Sequence, residues 1–147
     1  MSDHELTLKP ATDETIDRVE RILEANGLPS DDIQTKQGCF VIAFDGQTWI
    51  GVGGIESYGS HGLLRSVVVQ QGHRDQGYGT DLCTALEDYA RRQGVDTLHL
   101  LTTTAVEFFR KNGYAIFPRD EAPPRLQQTT EFTEYCPASA SYLRKHM

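Results

Sequence analysis

The segment from Val67 to Leu82 constrains the fold more than any other part of the chain. Three valines, Val67, Val68 and Val69, lead through a short polar stretch to Arg74-Asp75-Gln76-Gly77-Tyr78-Gly79. A helical pattern starts at once, with Leu82, Ala85, Leu86, Tyr89 and Ala90 on one face and Gly94 as its stop. A buried strand that turns straight into a helix belongs to a chain whose helices pack on a sheet, so an α/β architecture is expected. Glycine costs backbone entropy, and a pair one residue apart needs either a left-handed angle or a close approach to justify it. The N–H groups at a helix start point outward with partial positive charge, so an anion is what this junction can hold. Gly77 and Gly79 would let phosphate oxygens reach the main chain, and Arg74 would add a charge-assisted contact. From the loop alone, a tight turn that merely starts a helix explains the same glycines. Two other nucleotide loops do not fit. No Lys-Ser/Thr pair follows a glycine, and Gly51-Val52-Gly53-Gly54 lacks the third glycine and following helix of a dinucleotide site.

Residues 4–10 alternate as a first strand, and residues 11–30 read as a helix with Ile16, Val19, Ile22 and Leu23 on one face. Thr12 or Asp13 is expected to cap its start, and Gly27 with Pro29 to end it. Residues 39–44 and 47–58 flank the turn signal Asp45-Gly46 as a hairpin. Residues 62–70 form a further strand whose consecutive apolar residues suggest burial on both faces. A strand over 95–102 follows, then a short helix closed by Asn112-Gly113 and a strand from Tyr114 to Phe117. Pro118, Pro123 and Pro124 break the pattern before a short helical segment through Leu126, and 139–145 suit a final strand. With 147 residues and no interior linker or repeat, a single domain over 1–147 is expected.

A net charge of -7 argues against nucleic acid and anionic membranes as partners, because the overall field repels polyanions. No apolar run approaches bilayer length, and the first residues lack a secretory profile, so a cytoplasmic location is expected. Cys39, Cys83 and Cys136 are scattered and form no disulfide framework, nor any zinc-like spacing with the histidines, so no metal is expected.

The run VVVQQGHRDQGYGTDLCTALEDYA resembles motif A of the GNAT superfamily of acyl-CoA-dependent acetyltransferases, through Arg74, Gly77 and Gly79 after the strand Val67 to Val69. The order of elements is similar over nearly the whole chain. The resemblance implies an α/β (α+β) fold: a single GNAT-type domain with a mixed central sheet of about six or seven strands flanked by helices. It implies acetyl-CoA as co-substrate, its diphosphate on Arg74, Asp75, Gln76, Gly77, Tyr78, Gly79 and Thr80. The edge of Val67, Val68 and Val69 would hydrogen-bond the pantetheine arm, and an N–H near Val68 would polarise the thioester carbonyl. LLTTTAVEFFRKNGY and CPASASYL, with LLRSVVV, also resemble small GNAT proteins associated with arsenic-resistance operons.

Two positions depart from the family pattern. Alignment on Ala105 and Gly113 places Thr102 at the family's asparagine and Phe109 at its tyrosine. Thr102 keeps a hydrogen-bonding group for the cofactor. Phe109, a cofactor-binding position by the resemblance, has no hydroxyl to protonate the leaving thiolate, which leaves Tyr114 or water, and Phe108 and Phe109 also read as core aromatics. The glutamate that many relatives carry on the fourth strand is replaced by Arg65-Ser66, and alternation puts Arg65 on one face with Leu63 and Val67. A buried arginine needs an anion: either Glu56 on the neighbouring strand, or an acidic group of the substrate. Glu56 is the first candidate for general base, through water. His61 is the second, its alternative being an exposed turn residue beside Gly59 and Gly62. Glu107 suits ordinary dipole matching near a helix start, and a lone Cys136 suits a small buried residue better than an arsenical site.

The expected activity is N-acetylation of a small-molecule amine, either amino-acid-like or an organoarsenical or phosphinic glutamate analogue. The alternatives are an acyl-CoA-binding sensor without turnover and a protein N-acetyltransferase. A homodimer is expected by analogy with related folds.

Overall fold

The computed structural model describes residues 5–28, 30, 33, 37–73, 77–129, 132–133 and 139–147. The elements are β1 (Thr7–Pro10), α1 (Ile16–Ala25), β2 (Phe40–Asp45), β3 (Thr48–Tyr58), β4 (His61–Val69), α2 (Tyr78–Arg92), β5 (Thr97–Thr102), α3 (Val106–Lys111), β6 (Ala115–Phe117), α4 (Pro124–Gln127) and β7 (Ser141–His146). The strands make one seven-stranded mixed sheet in the order β1-β2-β3-β4-β5-β7-β6. Among the described residues no helix is long and apolar enough to cross a membrane. The chain divides into two compact units, Met1–Ile55 with Ser66–Tyr89, and Glu56–Arg65 with Ala90–Met147.

In the first unit the Asp45-Gly46 turn closes the expected β2–β3 hairpin, with Phe40 opposite Gly54 and Ile42 opposite Val52, and β1 adds antiparallel to β2. α1 lays Ile16, Val19 and Leu23 on Phe40, Ile42, Val52 and Val68. Val19 and Leu23 are fully buried, each contributing about 1.5–3 kcal/mol. The helix starts later than Thr12 or Asp13 would have it. The Thr12 N–H donates to Thr15 Oγ1 at 2.8 Å, and the Ile16 N–H to the Thr12 carbonyl at 2.8 Å. This turn uses the threonines before the helix begins. Gly27 ends α1 as expected, the Leu28 N–H reaching back to the Leu23 carbonyl at 2.9 Å, while Pro29 lies outside the described residues.

The glycines of β3 have a packing reason that the sequence did not reveal. A Cβ on Gly51 would sit 2.2 Å from the Val68 carbonyl oxygen, and one on Gly53 would sit 2.8 Å from a methyl of Leu86 in α2. Strand β4 and helix α2 approach β3 through the space these side chains would fill.

In the second unit β5 pairs parallel with the start of β4, His61 opposite Thr97 through Leu63 opposite His99. Its other edge pairs antiparallel with β7 over its whole length, and β6 pairs with the far side of β7. Leu63, Leu101, Leu126, Phe132 and Tyr142 form the core here. Gly62 through Arg65 are all buried, as the apolar run implied, but the regular alternation ends at Ser66, whose φ of 58° is left-handed. The expected common face of Arg65 and Val67 therefore does not follow from strand geometry.

Candidate active site

The strand-to-helix junction belongs to the first unit. At the end of β4 the Gln70 N–H donates to the Ile50 carbonyl at 2.7 Å, and its side-chain amide to the Trp49 carbonyl at 2.7 Å. A 3-10 turn, Gln71–His73, follows. Arg74, Asp75 and Gln76 lie outside the described residues. Gly77 has φ 84°, with open space where a Cβ would be, so the backbone angle and not crowding calls for glycine. α2 starts at Tyr78, and the Asp81 N–H is the donor that reaches back to the Gly77 carbonyl. The first-turn N–H groups of Gly79 and Thr80 precede that bond and have no carbonyl of their own helix to meet. Gly79 is half-buried and Thr80 exposed; on the strand side Val68 is buried, with Val67 and Val69 half-buried.

Tyr78 has a side-chain role the sequence did not suggest. Its hydroxyl donates to Asp45 Oδ2 at 2.6 Å, and its ring meets His73 edge-on at 6.0 Å. The hydrogen bond to Asp45, followed by burial, holds the phenol above its ordinary pKa of 10.0. The side chain thus ties the helix start to the end of β2.

The acidic candidates belong to the second unit. Glu56 and Arg65 do meet: Arg65 Nη1 lies 3.0 Å from Glu56 Oε2, with side chains 0% and 4% exposed. Of the two readings of Arg65, the structure contains the ion pair. The other carboxylate oxygen accepts from the Tyr58 hydroxyl at 2.6 Å. Tyr58 was not singled out in the sequence, although its place two residues after Glu56 on the same strand puts both on one face. Tyr58 is half-buried, whereas the carboxylate it meets is enclosed.

Thr102 keeps its hydrogen-bonding role in a local form: its Oγ1 accepts from the Ala105 N–H at 3.0 Å, fixing the turn into α3. Phe109 is buried as expected of a core aromatic and meets Tyr114 edge-on, with ring centroids 5.5 Å apart. Tyr114 is itself buried, with Lys145 Nζ 5.6 Å over its ring. Glu107 occupies the first turn of α3 and pairs with Arg110 at 3.0 Å. His61 is not an exposed turn residue. It opens β4, half-buried, with Nδ1 2.9 Å from His99 Nε2. Cys39 is half-buried and Cys83 buried, and Cys136 lies outside the described residues. No group of three or more metal-ligating side chains is placed to hold an ion among the described residues.

Comparison with known proteins bears on these two constellations. The model of the acetyltransferase (GNAT) family matches residues 5–114. No curated protein matches the chain. Among solved structures, N-acetylglutamate synthase from Neisseria gonorrhoeae, complexed with coenzyme A and N-acetyl-glutamate, superposes with a TM-score of 0.81 at 19% identity over 99% of this chain. The chain spans only 36% of that protein's length. Rv2747 from Mycobacterium tuberculosis, in complex with coenzyme A, gives a TM-score of 0.78 at 14% identity, covering 96% of this chain and 99% of that one. A putative acyl-CoA N-acyltransferase from Klebsiella pneumoniae gives 0.71 at 24% identity, covering 98% and 97%. These likenesses show the fold. Since the family model spans most of the chain, including the junction at Gly77, the protein belongs to the acetyltransferase (GNAT) family of acyltransferases.

Proposed function

We propose that the protein is an N-acetyltransferase that moves the acetyl group of acetyl-CoA to the amine of a small molecule, working in the cytoplasm as one domain over residues 1–147. The observation that carries this reading is left-handed Gly77 at the start of the 15-residue helix α2. Such a start attracts a diphosphate even in a chain of net charge -7, because the dipoles act locally. The open space beside Gly77 suits the same ligand.

Acetyl-CoA supplies an acyl group activated as a thioester. In this reading the main chain of Gly77 through Thr80, with Arg74, Asp75 and Gln76, holds the diphosphate. Val67 and Val69 offer peptide groups to the pantetheine arm, and the Val68 N–H polarises the carbonyl. Thr102 sets the start of α3, and Phe109 presents an apolar surface to the cofactor. The amine proton leaves by way of the Tyr58 hydroxyl to Glu56, along the 2.6 Å hydrogen bond. Arg65 acts as a positioning residue that holds the carboxylate. Tyr114, packed against Phe109, supplies the hydroxyl that Phe109 lacks and protonates the thiolate. A free thiol pKa of about 8.5 means that only modest assistance is needed.

The N-acetyl-glutamate bound to the Neisseria structure supports an amino-acid-like acceptor. The resemblance of residues 100–114 and 136–143 to arsenic-operon proteins extends the candidates to organoarsenical and phosphinic glutamate analogues.

The test is calorimetric titration with acetyl-CoA and with coenzyme A, then thiol release with glutamate and its analogues as acceptors. Micromolar binding is expected. Glu56→Gln and Tyr58→Phe should each slow turnover by about 100-fold while leaving cofactor affinity unchanged. Binding with no release for any amine would favour an acyl-CoA sensor, a reading that Phe109 also favours. No binding of either ligand would end both readings.

A further inference from the structure

The second unit also holds a cavity of about 700 Å³, lined by His61, His99, Phe117, Glu121 and Arg144 among others. It lies at the beginning of β4 and β5, where β7 finishes. None of Glu56, Tyr58, Arg65 and Tyr114 is among its lining residues, so the cavity is distinct from the Glu56 constellation.

Its charge runs against that of the whole chain. In a protein of net charge -7, the lining gathers Arg144 and Lys145 against one carboxylate, Glu121, with three histidines, neutral in that count, as polar neighbours. Arg144 is pre-positioned: its guanidinium carbon lies 3.8 Å from the Phe117 ring centroid. The ring covers one face of the fork and leaves its N–H donors to act in plane, the geometry that suits a carboxylate. Its present contacts to Glu121 are long, 3.4 Å to the carbonyl oxygen and 4.0 Å to the carboxylate. Glu121 is half exposed and holds the place weakly. Lys145 is turned to the Asn112 carbonyl at 3.0 Å and adds positive field from the rim, while His146 is turned to Thr97 at 3.1 Å.

The floor of the cavity is a hydrogen-bonded chain. His61 Nδ1 lies 2.9 Å from His99 Nε2, and His99 Nδ1 lies 2.6 Å from the Tyr142 hydroxyl. Burial first, then His61 and Arg144, lower the His99 pKa to about 4, so its ring is neutral and has a single N–H. Burial raises the Tyr142 phenol, which keeps its proton and so is able to donate to His99 Nδ1. With the Tyr142 hydroxyl as donor, His99 Nε2–H donates to His61 Nδ1, and in that arrangement His61 Nε2–H is left as a donor toward the cavity. Pro123 and Pro124 complete the lining with apolar surface.

We infer that this cavity binds the carboxylate of a small organic acid with an apolar body, held by Arg144 and His61, at a site separate from acetyl transfer. The ligand displaces the Glu121 carboxylate from Arg144 and rests its apolar part on Phe117 and the proline wall.

The experiment is NMR of the histidine rings of the full chain, titrated with sodium benzoate at constant ionic strength, with benzyl alcohol as the uncharged counterpart. The readout does not depend on turnover. Saturable shifts of the His61 and His99 resonances are expected with benzoate and not with benzyl alcohol. Arg144→Gln should weaken binding by about tenfold or more, the loss of a charge-assisted hydrogen bond. Glu121→Gln, an exposed change that leaves the fold intact, should tighten it severalfold by removing the internal competitor. The inference is overturned by absence of a saturable shift at millimolar benzoate, by equal shifts with benzyl alcohol, or by unchanged affinity in either variant.

Discussion

Replacing Gly51 by alanine tests the close approach of β3 and β4. The new methyl would stand 2.2 Å from the Val68 carbonyl oxygen and 3.2 Å from the Val68 carbonyl carbon and Val69 Cα. A carbon–oxygen contact settles near about 3.3 Å, so main chain has to give by about 1 Å. Main chain inside a sheet does not yield cheaply, and overpacking of this kind costs about 1–3 kcal/mol, with the upper end expected here. Gly53→Ala is the control on the same strand. Its methyl would meet the two Leu86 δ-carbons at 2.8 and 2.9 Å, the ends of a flexible side chain that can turn away. A new alanine also restricts the unfolded chain, returning about 0.4–1 kcal/mol, so the net loss at Gly53 should stay below about 1 kcal/mol. Urea unfolding followed by circular dichroism measures both variants. Because the proposed function places the Val68 peptide on the thioester, Gly51→Ala should, on that proposal, also weaken acetyl transfer more than its stability loss accounts for. Equal midpoints for Gly51→Ala and the parent, or a larger loss at Gly53 than at Gly51, would refute the reasoning.

Two further outcomes follow from the second unit. Arg65→Met leaves the Glu56 carboxylate buried without its cation and should cost about 3–5 kcal/mol, most of it recovered when Glu56→Gln is added; urea midpoints of the single and double variants decide, and a stable single variant contradicts the pairing argument. His99 is held neutral, with its pKa lowered from 6.5 to about 4. As pH falls the unfolded chain takes up this proton first, so stabilisation present above pH 6.5 is lost towards pH 4, by about 3 kcal/mol at most. His99→Gln should flatten the fall in stability between those limits, and identical pH profiles for variant and parent would remove His99 from the account.

The sequence was most legible where a period changes. Between Val69 and Leu82 the spacing of apolar residues shifts from strand to helix, and the structure places β4 and α2 there. The Glu56–Arg65 pair was legible as an electrostatic necessity, since a buried guanidinium demands an anion. What stayed hidden depends on contacts distant in sequence. His61, read between two glycines, looks like a turn residue, and nothing local announces a partner 38 positions later. The glycines of β3 looked like a failed nucleotide loop, because their reasons, Val68 and Leu86, lie on other elements. Tyr58 is an ordinary strand residue until its hydroxyl is seen on Glu56. α1 starts later than its sequence suggests because Thr12 and Thr15 satisfy each other, an arrangement that composition does not distinguish from a cap.

The position of β7 between β5 and β6 has a consequence for how the protein is made. Synthesis runs from the N-terminus, so β5 and β6 emerge before the strand that separates them. Until Ser141–His146 are translated, one edge of β5, from Thr97 to Thr102, has no neighbour and β6 has no sheet to join. Open edges of this kind template pairing with other chains. Release of a ribosome just short of Ser141 would therefore leave an aggregation-prone product, and the second unit can mature only after translation has passed His146.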